Sequence, residues 1–166
     1  MRSFVGVLSA AAAALMVVSF LSAADEKVPL DKVPKKVMDA VKARFPGAEI
    51  TSVEKETENG KVVYDIELKQ KGTKYEMDIL EDGTVVEIEK EIAVKDLPEA
   101  VTKALEAKYP KATIKEAMEM TKVNGKEEKL YGYELEIVTA DKKKLELEIA
   151  PDGKILKTEK SEEDEK

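Results

Sequence analysis

The chain repeats itself. Val33-Pro34 opens a stretch that runs through Val37, Ala40 and Val41 to Phe45-Pro46, Ala48 and Ile50. At a constant shift of 64, Leu97-Pro98 leads through Val101, Ala104 and Leu105 to Tyr109-Pro110, Ala112 and Ile114. Asn59-Gly60 is answered by Asn124-Gly125, and Asp82-Gly83 by Asp152-Gly153. Self-similarity of this kind means that one supersecondary unit is used twice, so the fold follows from the unit.

Each unit begins with a helix. Val37, Ala40, Val41 and Phe45 recur at three- and four-residue steps and form one stripe, opposite Lys35, Lys36, Asp39, Lys42 and Arg44. The second stripe is Val101, Ala104, Leu105 and Tyr109, and Asp96 with Glu99 has the spacing of a capping box. Pro34 and Pro98 fit a helix start, where a missing N–H breaks no helix bond. Pro46 and Pro110 disfavour a helical conformation at the aromatic residue before them, which ends both helices.

Strands follow. Tyr64, Ile66 and Leu68 alternate with Asp65, Glu67 and Lys69, while Tyr75, Met77 and Ile79 alternate with Glu76, Asp78 and Leu80. In the second copy Tyr131, Tyr133, Leu135 and Ile137, then Leu145, Leu147 and Ile149, interleave with Glu134, Glu136, Glu146 and Glu148. A two-residue period marks half-buried strands. Outer strands are expected over 50–56 and 84–90, and over 114–120 and 154–159. Asn-Gly and Asp-Gly fall between strands and read as hairpin turns, because primed turns need positive φ. The expected fold is therefore α+β: two tandem repeats, each one helix followed by a four-stranded antiparallel meander. Joining the two meanders into one eight-stranded sheet removes two open edges that invite aggregation. The repeat offset grows from 64 to 70 by Asp152, with the extra residues around Lys126 to Leu130, which suggests one specialised loop.

The ends read differently. Met1-Arg2, the apolar run Phe4 to Leu21 and the small residues Ser22-Ala23-Ala24 form a secretory signal pattern, favoured over an uncleaved anchor. The expected organisation is a signal peptide over 1–24, repeats over 25–92 and 93–160, and an acidic disordered tail over 161–166. The mature protein is then exported, periplasmic or extracellular. It contains no cysteine, so no disulfide or lipid anchor can hold it.

Composition narrows the chemistry. Histidine, cysteine and tryptophan are all absent, which excludes Ser-His-Asp triads, Cys-His pairs and His-based zinc sites. The formal charge of −7 argues against nucleic acid and against anionic membrane surfaces. No catalytic residue, cofactor or metal ligand is assigned, and the chain is read as a non-enzyme. The candidate binding residues lie on the strand face turned away from the apolar residues. They are Asp65, Glu67, Glu76, Asp78, Glu134, Glu136, Glu146 and Glu148, mixed with Lys69, Lys74 and Lys144. Glu67 with Glu76, and Glu136 with Glu146, are placed to lie close across hairpins. Such a cluster steers a basic partner or collects divalent cations such as Ca²⁺; the plain alternative is a solvated face of compensated charges. The Asp-Gly pairs lack the ligand pattern of an EF-hand loop. Tyr64, Tyr75, Tyr131 and Tyr133 are in phase with the core and are expected to pack there.

Val33-Pro34, Phe45-Pro46, Tyr64 and Asp82-Gly83, with Leu97-Pro98, Tyr109-Pro110, Tyr133 and Asp152-Gly153, resemble the pattern of the PepSY and PepSY-like (β-lactamase-inhibitor-like) domains in two tandem copies. The resemblance covers residues 28–160. It implies a secreted or periplasmic module that binds a protein of unknown identity and restrains an enzyme, such as a peptidase. It supplies no catalytic residues. Two departures stand out: the β-lactamase inhibitor carries aromatic anchors on its concave sheet and is stapled by disulfides, whereas this chain offers carboxylates and no cysteine. The alternative function is an acidic divalent-cation-binding envelope protein that uses the carboxylate face.

Overall fold

The computed structural model describes residues 26–58 and 60–161. The expected signal peptide over 1–24, Asn59 of the first Asn-Gly turn and the tail beyond Ser161 lie outside the described residues.

The described residues form an α+β fold, with two α-helices and one antiparallel sheet of nine strands in sequence order. Strand β1 (Glu26–Lys27) precedes helix α1 (Lys35–Arg44). Strands β2 (Glu49–Glu58), β3 (Lys61–Gln70), β4 (Thr73–Leu80) and β5 (Val85–Glu91) follow. Helix α2 (Glu99–Lys108) leads into β6 (Thr113–Asn124), β7 (Glu127–Val138), β8 (Lys144–Ile149) and β9 (Ile155–Lys160). The expected eight-stranded sheet gains a ninth strand. Glu26 and Lys27 pair with Lys55 and Glu54, and Val28 donates its N–H to the Val53 carbonyl at 2.9 Å. Two residues show no period, so this strand had no signature in the sequence.

The two halves join through β5 and β6, with Glu87 opposite Lys122 and Glu91 opposite Met118. This seam puts both helices on one side. Ile88 of the first core faces Thr121, and counting back by twos along β6 reaches Ala117 of the second core. One cluster gathers Val37 and Val41 of α1 with Val53, Tyr64, Ile66, Leu68, Met77 and Ile79. The other gathers Val101 and Leu105 of α2 with Tyr133, Leu135, Ile137, Leu147 and Ile149. The apolar stripes read from the sequence are thus the surfaces that meet the sheet.

The helix ends follow the prolines. Pro34 and Pro98 occupy the N-cap positions, and Phe45 and Tyr109 the C-caps, with φ near −125° and −128°. The expected Asp96–Glu99 capping box is not formed: α2 has no side-chain cap. Asp96 instead closes a 3₁₀ turn, donating its N–H to the Ala93 carbonyl at 2.8 Å. Proline at the N-cap already fixes φ and leaves that residue without an N–H to satisfy. The Asp-Gly turns are hairpin turns whose Asp side chains accept from the N–H groups of Thr84 and Lys154. Their glycines serve the helices as well as the turns. A Cβ on Gly83 would stand 2.9 Å from the Lys36 carbonyl oxygen of α1, and one on Gly153 would stand 2.6 Å from that of Ala100 in α2.

Apart from Lys126 in the tight turn, the stretch Lys126 to Leu130 is strand and not loop. It lengthens β7, and Glu127 to Leu130 pair with Asn124 to Thr121. The longer hairpin reaches back over the first half: Glu128 pairs with Arg44 of α1, and Val123 packs on the first cluster. Tyr131 also departs from its expected packing. A bulge between Met120 and Thr121 makes it the extra residue of the ladder, and its hydroxyl donates to Glu87 on the helix-free face. Tyr64 and Tyr133 are core residues, and Tyr75 packs on Phe45 with ring centroids 4.6 Å apart.

Candidate functional site

The face of the sheet opposite the helices carries every one of the eight candidate carboxylates. Register brings like charges directly opposite one another. Asp65 faces Asp78, Glu67 faces Glu76, Glu134 faces Glu148 and Glu136 faces Glu146. Further carboxylates join them without having been singled out from sequence, among them Glu54 opposite Asp65, Glu91 opposite Met118 and Glu159 opposite Glu146. Glu87 and Glu89 of β5 face Asp78 and Glu76, and Glu116 of β6 faces Glu136. The alternation around Ile88 carried the signal for the β5 pair. Glu116 was hidden by a bulge between Ile114 and Glu116 that shifts the strand phase. Like charges opposite each other in a ladder are destabilising unless something compensates.

Lysines compensate part of the row. Lys74 lies 2.7 Å from Glu76, 3.1 Å from Glu116 and 3.6 Å from Glu67. Burial alone would lower its pKa, but the hydrogen bond and charge of Glu76, then those of Glu116, hold it above the usual lysine range. Ser52 adds a hydrogen bond of 2.6 Å to Glu67. Burial works against Glu67, yet Ser52 and Lys74 hold its carboxyl below the ordinary value. At the seam, Glu87 accepts from both Lys122 and Tyr131, and the Lys122 ammonium sits 4.7 Å from the centre of the Tyr131 ring. On the far side Lys157 serves Glu159 at 2.9 Å and Glu148 at 3.6 Å. Of the other expected lysines, Lys69 stands opposite Lys74, and Lys144 opposite Val138 at the end of β8.

A central group is left uncompensated. The Oδ1 of Asp65 and the Oε2 of Glu89 are buried and, among the described residues, have no hydrogen-bond partner. Burial, followed by the charges of Glu76 and Asp78, pushes the Asp65 carboxyl well above its ordinary range. Burial and the charge of Glu134 push Glu89 up to about 10. Burial and the charge of Glu146 push Glu134 up to about 9. The dry surroundings come partly from two methionines. Met118 and Met120 are 1% and 2% exposed, yet belong to neither helix-side cluster. They project onto the helix-free face, Met120 between Glu89 and Gly132, and Met118 between Glu91 and Glu134. The absent side chain of Gly132 lets the Met120 sulfur lie over the backbone, 3.5 Å from where a Cβ would stand. Beside these buried thioethers Glu89 and Glu134 keep less water around them, which disfavours their charged forms.

Among the described residues no three acidic side chains converge as metal ligands do, so the divalent-cation alternative gains no support. Also among them, no helix is long and apolar enough to cross a membrane.

The fold is a pair of helices laid on one face of a single antiparallel sheet, with the other face uncovered among the described residues. The model of "PepSY: Peptidase propeptide and YPEB domain" matches residues 34–89. That of "Putative beta-lactamase-inhibitor-like, PepSY-like" matches residues 63–157, and the chain belongs to this PepSY-like family. Solved structures with the same fold include a DUF2874 family protein from Bacteroides uniformis, with a TM-score of 0.56 and 18% identity over 76% of this chain and 88% of that one. A BLIP-like protein from Bacteroides fragilis has a TM-score of 0.52 and 20% identity, covering 81% of this chain and 88% of its own. A third, from Bacteroides eggerthii and described as "putative periplasmic", has a TM-score of 0.59 and 14% identity over 77% and 88%. No curated protein matches the chain.

Proposed function

We propose that this protein is an exported, non-enzymatic binding module, built from a duplicated helix-and-meander unit, which lays the helix-free face of its sheet on an envelope protein and restrains it. The observation that carries this reading is one whole sheet face with no helix over it among the described residues, while both helices cover the other. A packed sheet ordinarily buries one face, so the uncovered face is the surface open to contact. The family description supports an inhibitor-like role, and the peptidase-propeptide match makes a peptidase a reasonable target class. The secretory pattern at the N-terminus and the periplasmic description of the Bacteroides eggerthii neighbour support export. The binding residues are Asp65, Glu67, Glu76, Asp78, Glu134, Glu136, Glu146 and Glu148.

Affinity capture from an envelope extract tests this. Wild-type protein and a Glu76→Lys/Glu134→Lys variant are compared, with folding checked by circular dichroism. A protein retained by the wild type and lost by the folded variant supports the reading, more so if its enzymatic activity falls on binding. Equal recovery by both proteins would remove the helix-free face from the interaction.

A further inference from the structure

We propose that the partner docks a cationic segment, bearing lysine or arginine, across the seam of the helix-free face, where its charge lies among Glu76, Glu89 and Glu134, with Asp65 beyond Glu76. This deepens the preceding reading and rests on it.

Two independent observations meet here. The first is charge complementarity. The seam concentrates carboxylates, and the cations that face it are committed elsewhere. Around Glu89, β4 presents Glu76 and Asp78, β5 itself presents Glu87, and β7 presents Glu134. The nearby lysines are Lys74, which serves Glu67, Glu76 and Glu116, and Lys122, which serves Glu87. The second observation is the pair of orphaned oxygens. Asp65 Oδ1 and Glu89 Oε2 are buried acceptors without a donor among the described residues. Buried polar atoms are nearly always satisfied in folded proteins, so each of these acceptors asks for a donor from outside, and that of Glu89 lies at the seam. A cationic side chain supplies both the donor and the charge, and the aliphatic stem of lysine or arginine suits a seam that includes Met118 and Met120.

Docking of this kind exchanges a proton for a cation. A carboxyl that holds its proton in the free protein gives it up to solvent as the ammonium or guanidinium arrives, leaving a charge-assisted pair. A cation that merely hovers near an exposed acidic surface releases no proton. Proton release therefore separates a seated cation from general attraction to an acidic protein.

The test is calorimetric titration of the protein with a synthetic peptide of about eight residues alternating Lys and Val, the length of one strand. Gln/Val and Glu/Val peptides serve as controls, and each titration is run in two buffers of different ionisation enthalpy. The Lys/Val peptide is expected to bind with proton release and to tighten as pH rises, by about tenfold per unit for each proton released. Glu89→Gln should weaken binding at least about tenfold and reduce the release, while Glu106→Gln on α2, an equal change in net charge, should do neither. Binding with no proton release, or equal loss in the two variants, would overturn the seated cation. Binding of the neutral or acidic peptide alone, sensitive to Glu89→Gln, would also overturn it, yet leave the protein-binding role of the face standing. Silence from all three peptides would likewise overturn it, whereas the capture experiment decides the broader role by itself.

Discussion

Replacing Glu89 by glutamine should make the protein more stable at neutral pH, and the gain should grow with pH. In the folded chain this carboxyl is pushed far above its ordinary value by burial and by Glu134. In the unfolded chain it titrates near the usual glutamate value of about 4.3. Between these two values the folded state holds one proton more than the unfolded state. Stability then falls as pH rises, by about 1.4 kcal/mol per unit for one such group. The contribution is complete below the unfolded value and is lost as pH climbs through the folded one. Glutamine keeps the shape and cannot ionise, so the variant lacks this slope. From about pH 5.5 to about 7.5 the two stability curves should diverge by roughly 2.7 kcal/mol, an upper figure because rearrangement of Glu89 toward water would relieve part of the strain. Urea denaturation followed by far-ultraviolet circular dichroism measures this at each pH, and the divergence corresponds to roughly 10 °C in Tm for a chain of this size. Parallel curves for wild type and variant would refute the account: Glu89 would then be no more protonated in the folded protein than in the unfolded one.

Gly153→Ala should destabilise by roughly 2–4 kcal/mol, because φ is +87° there and the new Cβ would meet the Ala100 carbonyl oxygen at 2.6 Å; a loss under about 0.5 kcal/mol in chemical denaturation would contradict the packing of α2 on this turn. Lys74→Gln leaves Glu67, Glu76 and Glu116 without their shared cation. It should cost about 2–4 kcal/mol near pH 8 and clearly less near pH 4, where the carboxylates take up protons, as paired urea melts will show. Lys111 has φ +66°, and its counterpart Gly47 in the first unit has φ +77°. Lys111→Gly should therefore raise stability by roughly 0.5–1 kcal/mol, and a fall in Tm would show that the lysine side chain contributes more than the strained backbone costs.

Much of this architecture was legible in the sequence because it rests on short-range rules. The stripe through Val37 and Val41, the stop at Phe45-Pro46 and the alternation of Tyr64, Ile66 and Leu68 each depend on a few neighbouring residues. Alternation also placed Asp65, Glu67, Glu76, Asp78, Glu134, Glu136, Glu146 and Glu148 on one face before any pairing was known. What escaped were effects set by partners far along the chain. The two residues of β1 become a strand only because β2 offers an edge. Glu116 and Tyr131 sit beside bulges, and a bulge moves a side chain relative to simple alternation. The capping box at Asp96 and Glu99 satisfied the sequence pattern, but the 3₁₀ turn ending at Asp96 took that segment's geometry. The burial of carboxylates on this face was also invisible, since only the register of β6 places Met118 and Met120 there.

That burial decides between two descriptions of the face. Alternating acids and lysines on an exposed strand are ordinary when each charge keeps its water, and the pairs then contribute little. Here Lys74, Lys122 and Lys157 neutralise the flanks of the row, while Asp65 beside Glu76 and Asp78, and Glu89 and Glu134 beside Met120 and Met118, keep carboxyls raised above the ordinary range. Neutral residues of the same shape would remove the repulsion and keep the β-ladder intact, so the fold does not require these acids. Local features that oppose stability while leaving the fold unaided concentrate at functional sites. A surface of this kind becomes more favourable when positive charge from another molecule completes it. The stability lost with rising pH and the affinity gained for a cationic segment should then trace back to the same carboxyls, Glu89 and Glu134.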